Sequence, residues 1–216
     1  MPGAGGSITL DLSEFAAWAQ TMGRDLQSVD YTPALKQCSL ALVSATKANF
    51  DGQHSPDGSP WRPLRGSRPR GGDRILRDRG LLMGSITGRG QGHIEELTSA
   101  SLIFGTNLSY AATHQYGATI RPVRAKMLAM PLTPAAFRAG SPRQFGRDLF
   151  VWRSGPGNLF LAESKGKRAK LVLHYRLLPS VTIPARPFLG VSVQMAEDVG
   201  NIFQQFLVKV LGKRTA

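Results

Sequence analysis

The chain has 216 residues, a formal net charge of +13, 24 glycines, 14 prolines and a single cysteine. This length is enough for one domain, with or without an insertion, that buries a core without disulfides, and one cysteine excludes a disulfide within the chain. The basic balance favours polyanionic partners, nucleic acid first and acidic protein surfaces second, although a generally basic, solvated surface would give the same total.

No membrane or secretion signal is apparent in the sequence. The opening MPGAGGSITLDLSEF lacks the basic region and apolar run of a signal peptide. No uncharged apolar stretch is long enough to span a bilayer. We therefore expect a soluble protein without a membrane partner.

Two helices are predicted near the beginning of the chain. Apolar residues recur at helical spacing over residues 10–29, with Asp11 or Ser13 available as the N-cap. The second helix begins at Thr32-Pro33, a capping residue followed by a first-turn proline. We expect the two helices to pack together. The apolar face of the second helix carries Leu35, Cys38, Leu42, Ala45 and Asn49.

Residues 51–73, DGQHSPDGSPWRPLRGSRPRGGD, are predicted to form a long loop, because proline and glycine leave no helical or strand periodicity. Trp61 and Leu64 are expected to anchor its first half, which leaves residues 65–73 mobile. Prolines on both sides restrict the backbone around Trp61. This tryptophan is therefore either a contact at a subunit interface or a staple that holds the loop on its own core.

The next part of the chain alternates short helices and strands. Residues 74–86 predict a helix that Gly80 weakens in the middle, and residues 92–98 and 100–105 predict two tightly joined antiparallel strands. Another short helix is predicted at residues 108–116. Thr106 or Asn107 is its expected N-cap, and Gly117 its C-cap.

Residues 118–182 predict a β-rich arm. A turn is expected at SGPGN and a hairpin tip at SKGKR, while PAAFRAGSPRQFGRD reads as irregular. The predicted strands are residues 127–132, 158–163 and 170–178.

The chain ends in an extended segment and a helix. In IPARPFLG, residues 183–190, two prolines remove two backbone donors, which predicts an extended brace and not a central strand. Apolar residues at helical spacing then predict a helix over residues 191–211.

No pattern of catalytic or metal-binding residues is apparent. The four histidines, His54, His93, His114 and His174, match no zinc or metalloprotease spacing, and His114 is expected to be a hydrogen-bonded structural residue. No GxSxG motif is present, and GSITGRGQG lacks the Lys-Ser/Thr of a phosphate-binding loop. We therefore expect a protein that is not an enzyme and needs neither a metal nor a cofactor.

Four strings occur in an order that points to a known family. They are Phe50 with PDGSPWRPL, ILRDRGLLMGSI (75–86), GTNLSYAATHQYG (105–117), and IPARPFLG before an amphipathic helix. In this order they resemble the virion-morphogenesis or tail-completion family of Mu-like phages. The segment 118–182 is longer and richer in arginine than its counterpart in shorter family members.

The resemblance implies an α+β fold, in which an N-terminal helical pair and a C-terminal helix pack on an antiparallel sheet within a single domain, residues 1–216. It also implies a structural subunit of the head–tail junction that forms a ring, often sixfold. Such a ring completes or terminates the tail and joins it to the capsid connector. The implied partners are further copies of the chain, other neck or tail proteins and the DNA that passes through the channel. The implied location is the virion, with assembly in the host cytoplasm.

Two groups of residues are candidates for contacts in such a ring. Arg65, Arg68, Arg70 and Arg74 are expected to form a basic loop that faces the DNA channel or an acidic neighbouring ring, unless they are only a solvated loop tip. The candidates for subunit interfaces are Trp61, Tyr110, Tyr116, Arg186, Phe188, Phe203 and Phe206.

An alternative function is nucleic-acid binding in DNA packaging or regulation. It rests on the charge distribution, because the segment from Arg62 to Arg89 holds eight arginines and two aspartates. No helix-based DNA-reading motif accompanies this cluster.

Overall fold

The computed structural model describes residues 6–13, 29–64, 74–88, 90–146, 148–165 and 170–212. Within these ranges the chain is an α+β protein with antiparallel sheets, which confirms the predicted fold class. The chain divides into two compact units. The first consists of Met1–Pro63, Arg74–Gly117 and Pro184–Ala216, and the second of Leu64–Asp73 and Ala118–Ile183.

In its described residues the first unit combines four helices with a three-stranded sheet of order β1-β3-β2. Both pairs of neighbouring strands are antiparallel. In chain order its elements are β1 (Ser7–Asp11), α1 (Thr32–Gly52), α2 (Leu81–Thr87), β2 (His93–Leu97), β3 (Ser101–Thr106), α3 (Ala111–Tyr116) and α5 (Val193–Gly212).

The prediction of a helix at residues 10–29 is wrong for its first two residues. Leu10 and Asp11 belong to β1, where they pair with Leu102 and Ser101 of β3. The Asp11 carboxylate accepts a hydrogen bond from the Ser13 backbone N–H at 2.8 Å, in the turn that follows the strand. Residues 14–28, and with them most of this prediction, lie outside the described residues.

Helix α1 confirms the predicted second helix. Pro33 lies in its first turn, but Tyr31 is the N-cap and supplies no side-chain bond; the Asp30 carboxylate instead accepts from the Thr32 N–H at 2.9 Å. Leu35, Cys38 and Leu42 are fully buried, as their spacing predicts. The core therefore lies along this face of α1.

Helix α5 confirms the predicted C-terminal helix. Met195 and Phe203 are buried, and the rings of Phe203 and Phe206 lie 6.2 and 5.8 Å from the ring of Tyr31. These contacts attach α5 to the beginning of α1. None of the helices in the described ranges is long and apolar enough to cross a membrane.

Helix α2 is shorter than the helix predicted at residues 74–86. Residues 74–80 form turns, and Leu76 has a positive φ of 58°. Gly80 has φ 74° and is the N-cap of α2, so this glycine starts the helix and does not weaken its middle.

The strands and the short helix between residues 92 and 117 confirm the predictions, except for the helix cap. Tyr110 is the N-cap of α3 and makes no side-chain capping bond, so the expectation for Thr106 or Asn107 is wrong. Gly117 ends the helix with φ 74°, a conformation that favours glycine, as predicted.

The second unit is mainly β-structure. It contains a four-stranded antiparallel sheet of order β5-β8-β7-β6 and a two-stranded antiparallel pair, β4 with β9. Its elements are β4 (Ala118–Ile120), β5 (Leu128–Pro131), α4 (Pro134–Ala139), β6 (Phe150–Arg153), β7 (Leu159–Lys165), β8 (Lys170–Leu178) and β9 (Val181–Ile183), with a 3-10 turn at Pro142–Gln144.

The three strands predicted in this segment are confirmed as β5, β7 and β8. The prediction that residues 134–148 are irregular is wrong in its first half, where α4 forms. Thr133 caps this helix by accepting from the Ala136 N–H at 3.2 Å, Pro134 occupies its first turn, and Gly140 ends it with φ 73°. The tip of the predicted hairpin at SKGKR lies largely outside the described residues.

Candidate functional site

The extended segment Pro184–Gly190 is held by the side chain of Gln115. The Gln115 Oε1 atom accepts from the backbone N–H groups of Phe188 and Leu189 at 3.0 and 3.2 Å, and its Nε2 donates to the Leu189 carbonyl at 2.6 Å. One buried amide therefore satisfies three buried backbone groups in a segment whose prolines exclude it from a sheet.

Two side chains from a much earlier part of the sequence bond to the same backbone segment. Asn49 Nδ2 donates to the Phe188 carbonyl at 3.1 Å, and Trp61 Nε1 donates to the Pro187 carbonyl at 2.8 Å. The Phe50 ring packs edge-on against Trp61 with centroids 5.6 Å apart, and lies 5.5 Å from the Phe188 ring. The loop that contains Trp61 is thus attached to its own core.

Arg186 adds three hydrogen bonds to backbone carbonyls of the same region. Its backbone N–H donates to the His114 carbonyl at 2.7 Å, and its guanidinium donates to the carbonyls of Arg62 and Pro63 at 2.9 and 3.4 Å. The side chain is 6% exposed. Burial, and secondarily the nearby charge of Arg186, lower the pKa of His114.

We call these contacts the motif junction, because they join strings that are far apart in the sequence. Three of the four strings meet here: Phe50 with PDGSPWRPL, GTNLSYAATHQYG and IPARPFLG. The sequence suggested each string as a local turn or brace but gave no sign that they contact one another. The motif junction consists of Asn49, Phe50, Trp61, Arg62, Pro63, His114, Gln115, Arg186, Pro187, Phe188 and Leu189.

The structure separates the seven interface candidates into internal and surface residues. Trp61, Arg186 and Phe188 are buried in the motif junction, which for Trp61 favours the staple over the interface contact. Phe203 is buried and Phe206 half-buried against Tyr31. Tyr116 and Tyr110, at the two ends of α3, are 72% and 39% exposed. These two tyrosines are the candidates that remain available to a partner.

Of the four arginines in the predicted basic loop, Arg74 lies within the described residues. Arg65, Arg68 and Arg70 lie outside the described residues. Arg74 is exposed, with its guanidinium 3.8 Å from the Asp51 carboxylate, to which Arg77 also donates at 2.6 Å. Arg74 therefore lies on the surface, partly neutralised by an acid at the end of α1.

The second unit contains a buried polar cluster that the sequence did not reveal. The pairing of β7 with β8 shifts register at Leu161/Ala162, where Leu161 is opposite Tyr175 and Ala162 is opposite Leu173, so His174 is the extra residue of a β-bulge. Its Nε2 lies 3.0 Å from Glu163 Oε2 and its Nδ1 lies 3.0 Å from Thr133 Oγ1.

The contacts of His174 indicate a structural role. Its ring is buried, and the Phe145 ring lies 4.5 Å from it. The Thr133 hydroxyl is already used as the cap of α4. The cluster therefore ties the beginning of α4 to two strands of the sheet.

Two other histidines bond to backbone carbonyls, and the cysteine is buried. His54 Nδ1 and His93 Nδ1 bond to the carbonyls of Ser55 and Ser85 at 2.8 and 3.0 Å. Burial raises the pKa of the Cys38 thiol to about 11, so it is a poor nucleophile. In the part of the chain that the structure describes, no group of three or more His, Cys, Asp or Glu side chains is arranged to hold a metal ion.

The structure defines a class: an α+β protein in which three strings that are far apart in the sequence meet in one buried set of contacts, the motif junction. Comparison with known families makes the class specific. The chain belongs to the phage virion morphogenesis family, whose sequence model matches residues 10–139, and this confirms the resemblance. The match begins within β1 and ends with α4, and it includes neither IPARPFLG nor α5. No curated protein and no solved structure gives a significant match.

Proposed function

We propose that this virion morphogenesis protein is a subunit of the head–tail junction, where it forms a homo-oligomeric ring that completes or terminates the tail and joins it to the capsid connector. The observation that carries this proposal is the family match over residues 10–139. The protein acts in this proposal by assembly and not by catalysis.

The motif junction supports an assembly role. Its hydrogen bonds occupy the backbone of the proline segment and the functional groups of Gln115 and Trp61. A rigid frame of this kind presents surface residues with little loss of conformational entropy on binding. Tyr110 and Tyr116 lie at the two ends of α3, which also carries His114 and Gln115 of the motif junction, and tyrosine is enriched in interface hot spots. We therefore propose α3 as the subunit contact.

A ring requires a heterologous contact, in which α3 of one subunit meets a different surface of the next. The expected partners are thus other copies of the chain, neighbouring neck or tail proteins, and the packaged DNA in the channel. The basic loop at Arg65, Arg68, Arg70 and Arg74 would face that DNA or an acidic neighbouring ring.

The first experiment measures the mass of the purified chain by light scattering and searches purified virions for the chain by mass spectrometry. We expect a multimer of defined size, and the chain among the virion proteins. A persistent monomer that is also absent from virions would remove the proposal.

The alternative function, a basic nucleic-acid-binding protein of packaging or regulation, is favoured by the net charge of +13. It predicts tight DNA binding by the isolated chain with a steep dependence on salt, because each phosphate contact releases counterions. It also predicts that the chain is not a stoichiometric virion component, which separates the two functions.

A further inference from the structure

One face of the four-stranded sheet in the second unit carries aromatic side chains and an arginine in a row. Trp152 is paired directly with Phe160, Phe160 with Arg176, and Arg176 with Met130. Directly opposed residues of neighbouring antiparallel strands project from the same face of a sheet. The row therefore crosses all four strands.

A second row on the same face extends the apolar surface. Phe150 is two residues before Trp152 on β6, and its partner Ala162 is two residues after Phe160 on β7, so both share the face of the first row. Ala162, which is paired with Phe150 and Leu173, is buried, whereas Phe150 and Met130 are exposed. The rings of Trp152 and Phe160 are half-buried, 5.8 Å apart and inclined by 44°. We call Met130, Phe150, Trp152, Phe160 and Arg176 the aromatic face.

The opposite face of this sheet is the one that packs on α4. The Tyr175 hydroxyl donates to the Ala136 carbonyl at 3.1 Å, and His174 contacts Thr133. Tyr175 is paired with Leu161, the residue between Phe160 and Ala162, and therefore projects away from the aromatic face. Helix α4, the α-helix of this unit in its described part, thus leaves the aromatic face without a covering helix.

The surface of this unit is strongly basic. Its described acids are Asp148, which is exposed, and Glu163, which bonds to His174. Arg176 is held on the aromatic face by a hydrogen bond to Asn158 Oδ1 at 3.3 Å. The exposed basic residues in its described part are Arg121, Arg124, Lys126, Arg138, Arg143, Arg153, Lys170 and Arg176.

A partner that matches both features must carry negative charge and flat apolar groups at close spacing. Single-stranded nucleic acid has both, because its phosphates pair with arginine and lysine while its unpaired bases stack on aromatic rings. A duplex keeps its bases stacked internally and cannot use the rings. An acidic protein would satisfy the charge but gains less from a row of rings beside an arginine.

We propose that the aromatic face binds single-stranded nucleic acid, with bases stacked on Trp152, Phe160 and Phe150 and the backbone bound by Arg176 and the surrounding basic residues. This site goes beyond the assembly function and does not depend on it.

The test measures fluorescence anisotropy of a labelled oligothymidylate of about 20 nucleotides, and of a duplex of equal length, with the full chain at several salt concentrations. We expect Trp152→Leu and Phe160→Leu each to weaken binding of the single strand at least about fivefold, since they keep an apolar side chain but remove the ring. Trp152→Phe restores a ring and is expected to keep most of the affinity. Arg176→Gln is expected to weaken binding and to reduce the salt slope by about 0.7.

Two matched controls change neighbouring positions off the aromatic face. Val151→Ala alters an exposed residue on the other face of the same strand, and Arg138→Gln removes an exposed charge on α4. Val151→Ala is expected to leave affinity unchanged, and Arg138→Gln to affect it less than Arg176→Gln does. Circular dichroism of each variant establishes that it is folded.

Three results would overturn the proposal. One is the absence of oligothymidylate binding at low salt, and a second is duplex binding as tight as single-strand binding. The third is equal affinity of wild type and the folded Trp152→Leu and Phe160→Leu variants. If light scattering of these variants then shows a changed multimer mass, the aromatic face is a protein interface instead. If a leucine variant does not fold, the comparison of wild type with Arg176→Gln decides: an unchanged affinity and salt slope would overturn the proposal. None of these results bears on whether the chain is part of the virion.

Discussion

At the scale of single residues, the fold of the first unit depends on a few amides and rings that bond to the proline segment. Gln115 is the strongest case, because its side chain bonds to three backbone groups of Phe188 and Leu189. An apolar side chain at this position would leave two N–H groups and one carbonyl buried without partners.

We therefore predict that Gln115→Leu lowers the free energy of unfolding by about 2–5 kcal/mol, measured by urea denaturation. The control is Gln204→Leu, at an exposed position of α5, which is expected to change stability by less than about 0.5 kcal/mol. Similar effects of the two substitutions would contradict the role given to the motif junction.

His114 should make stability depend on pH. Its pKa lies below the ordinary value of 6.5 because burial, and then the charge of Arg186, disfavour its protonated form. Between the folded and unfolded pKa values the unfolded chain binds more protons, so stability is full above pH 6.5 and falls as the pH decreases through this window. Urea denaturation between about pH 5 and 7.5 should show a smaller pH dependence for His114→Gln than for the wild type. An unchanged pH dependence would show that His114 does not contribute.

At the scale of secondary-structure elements, the sequence predicts those whose periodicity and end signals agree. Apolar residues at helical spacing predict α1 and α5, and partial alternation of apolar and polar residues predicts β8. Helix α4 was missed although its signals were present: Thr133-Pro134 begins it and Gly140 ends it. Six residues are too few for periodicity to reveal a helix, so only the caps identify it.

Other elements could not be predicted from local sequence. Strands β4 and β9 have three residues each and exist because they pair across 63 positions, as Thr119 with Thr182. The bulge at His174 depends on the register of β7, and the Gln115 contacts depend on a segment more than 70 residues later. Long-range pairing decides such features, and a single sequence does not encode it in any local pattern.

The cap of α4 offers a test at this scale. Thr133→Val removes both the capping bond to Ala136 and the bond to buried His174, and should lower the free energy of unfolding of the second unit by about 1–3 kcal/mol. Thr133→Ser keeps the hydroxyl and should retain most of the stability. Thermal denaturation followed by circular dichroism compares the two. A valine variant as stable as the serine variant would show that the hydroxyl is not needed.

At the scale of the whole molecule, family membership establishes a virion morphogenesis protein, and the proposed ring depends on the exposed face of α3. Tyr116 is its most accessible aromatic residue. Replacing it by glutamate would place a charge in the proposed contact, where an unpaired charge is costly.

We predict that Tyr116→Glu shifts the chain towards smaller species in light scattering at equal protein concentration. Leu40→Glu is the matched control, because Leu40 is a similarly exposed apolar residue on α1, at 70%. It should leave the mass distribution unchanged. If both variants assemble as the wild type does, α3 is not the subunit contact.

The most direct measurement of the central claim is a localised reconstruction of the head–tail junction in intact virions. The proposed function predicts a closed ring of this chain at the junction, with α3 between neighbouring subunits. Density that places the chain elsewhere in the particle, or a junction that contains no copy of it, would contradict the proposal.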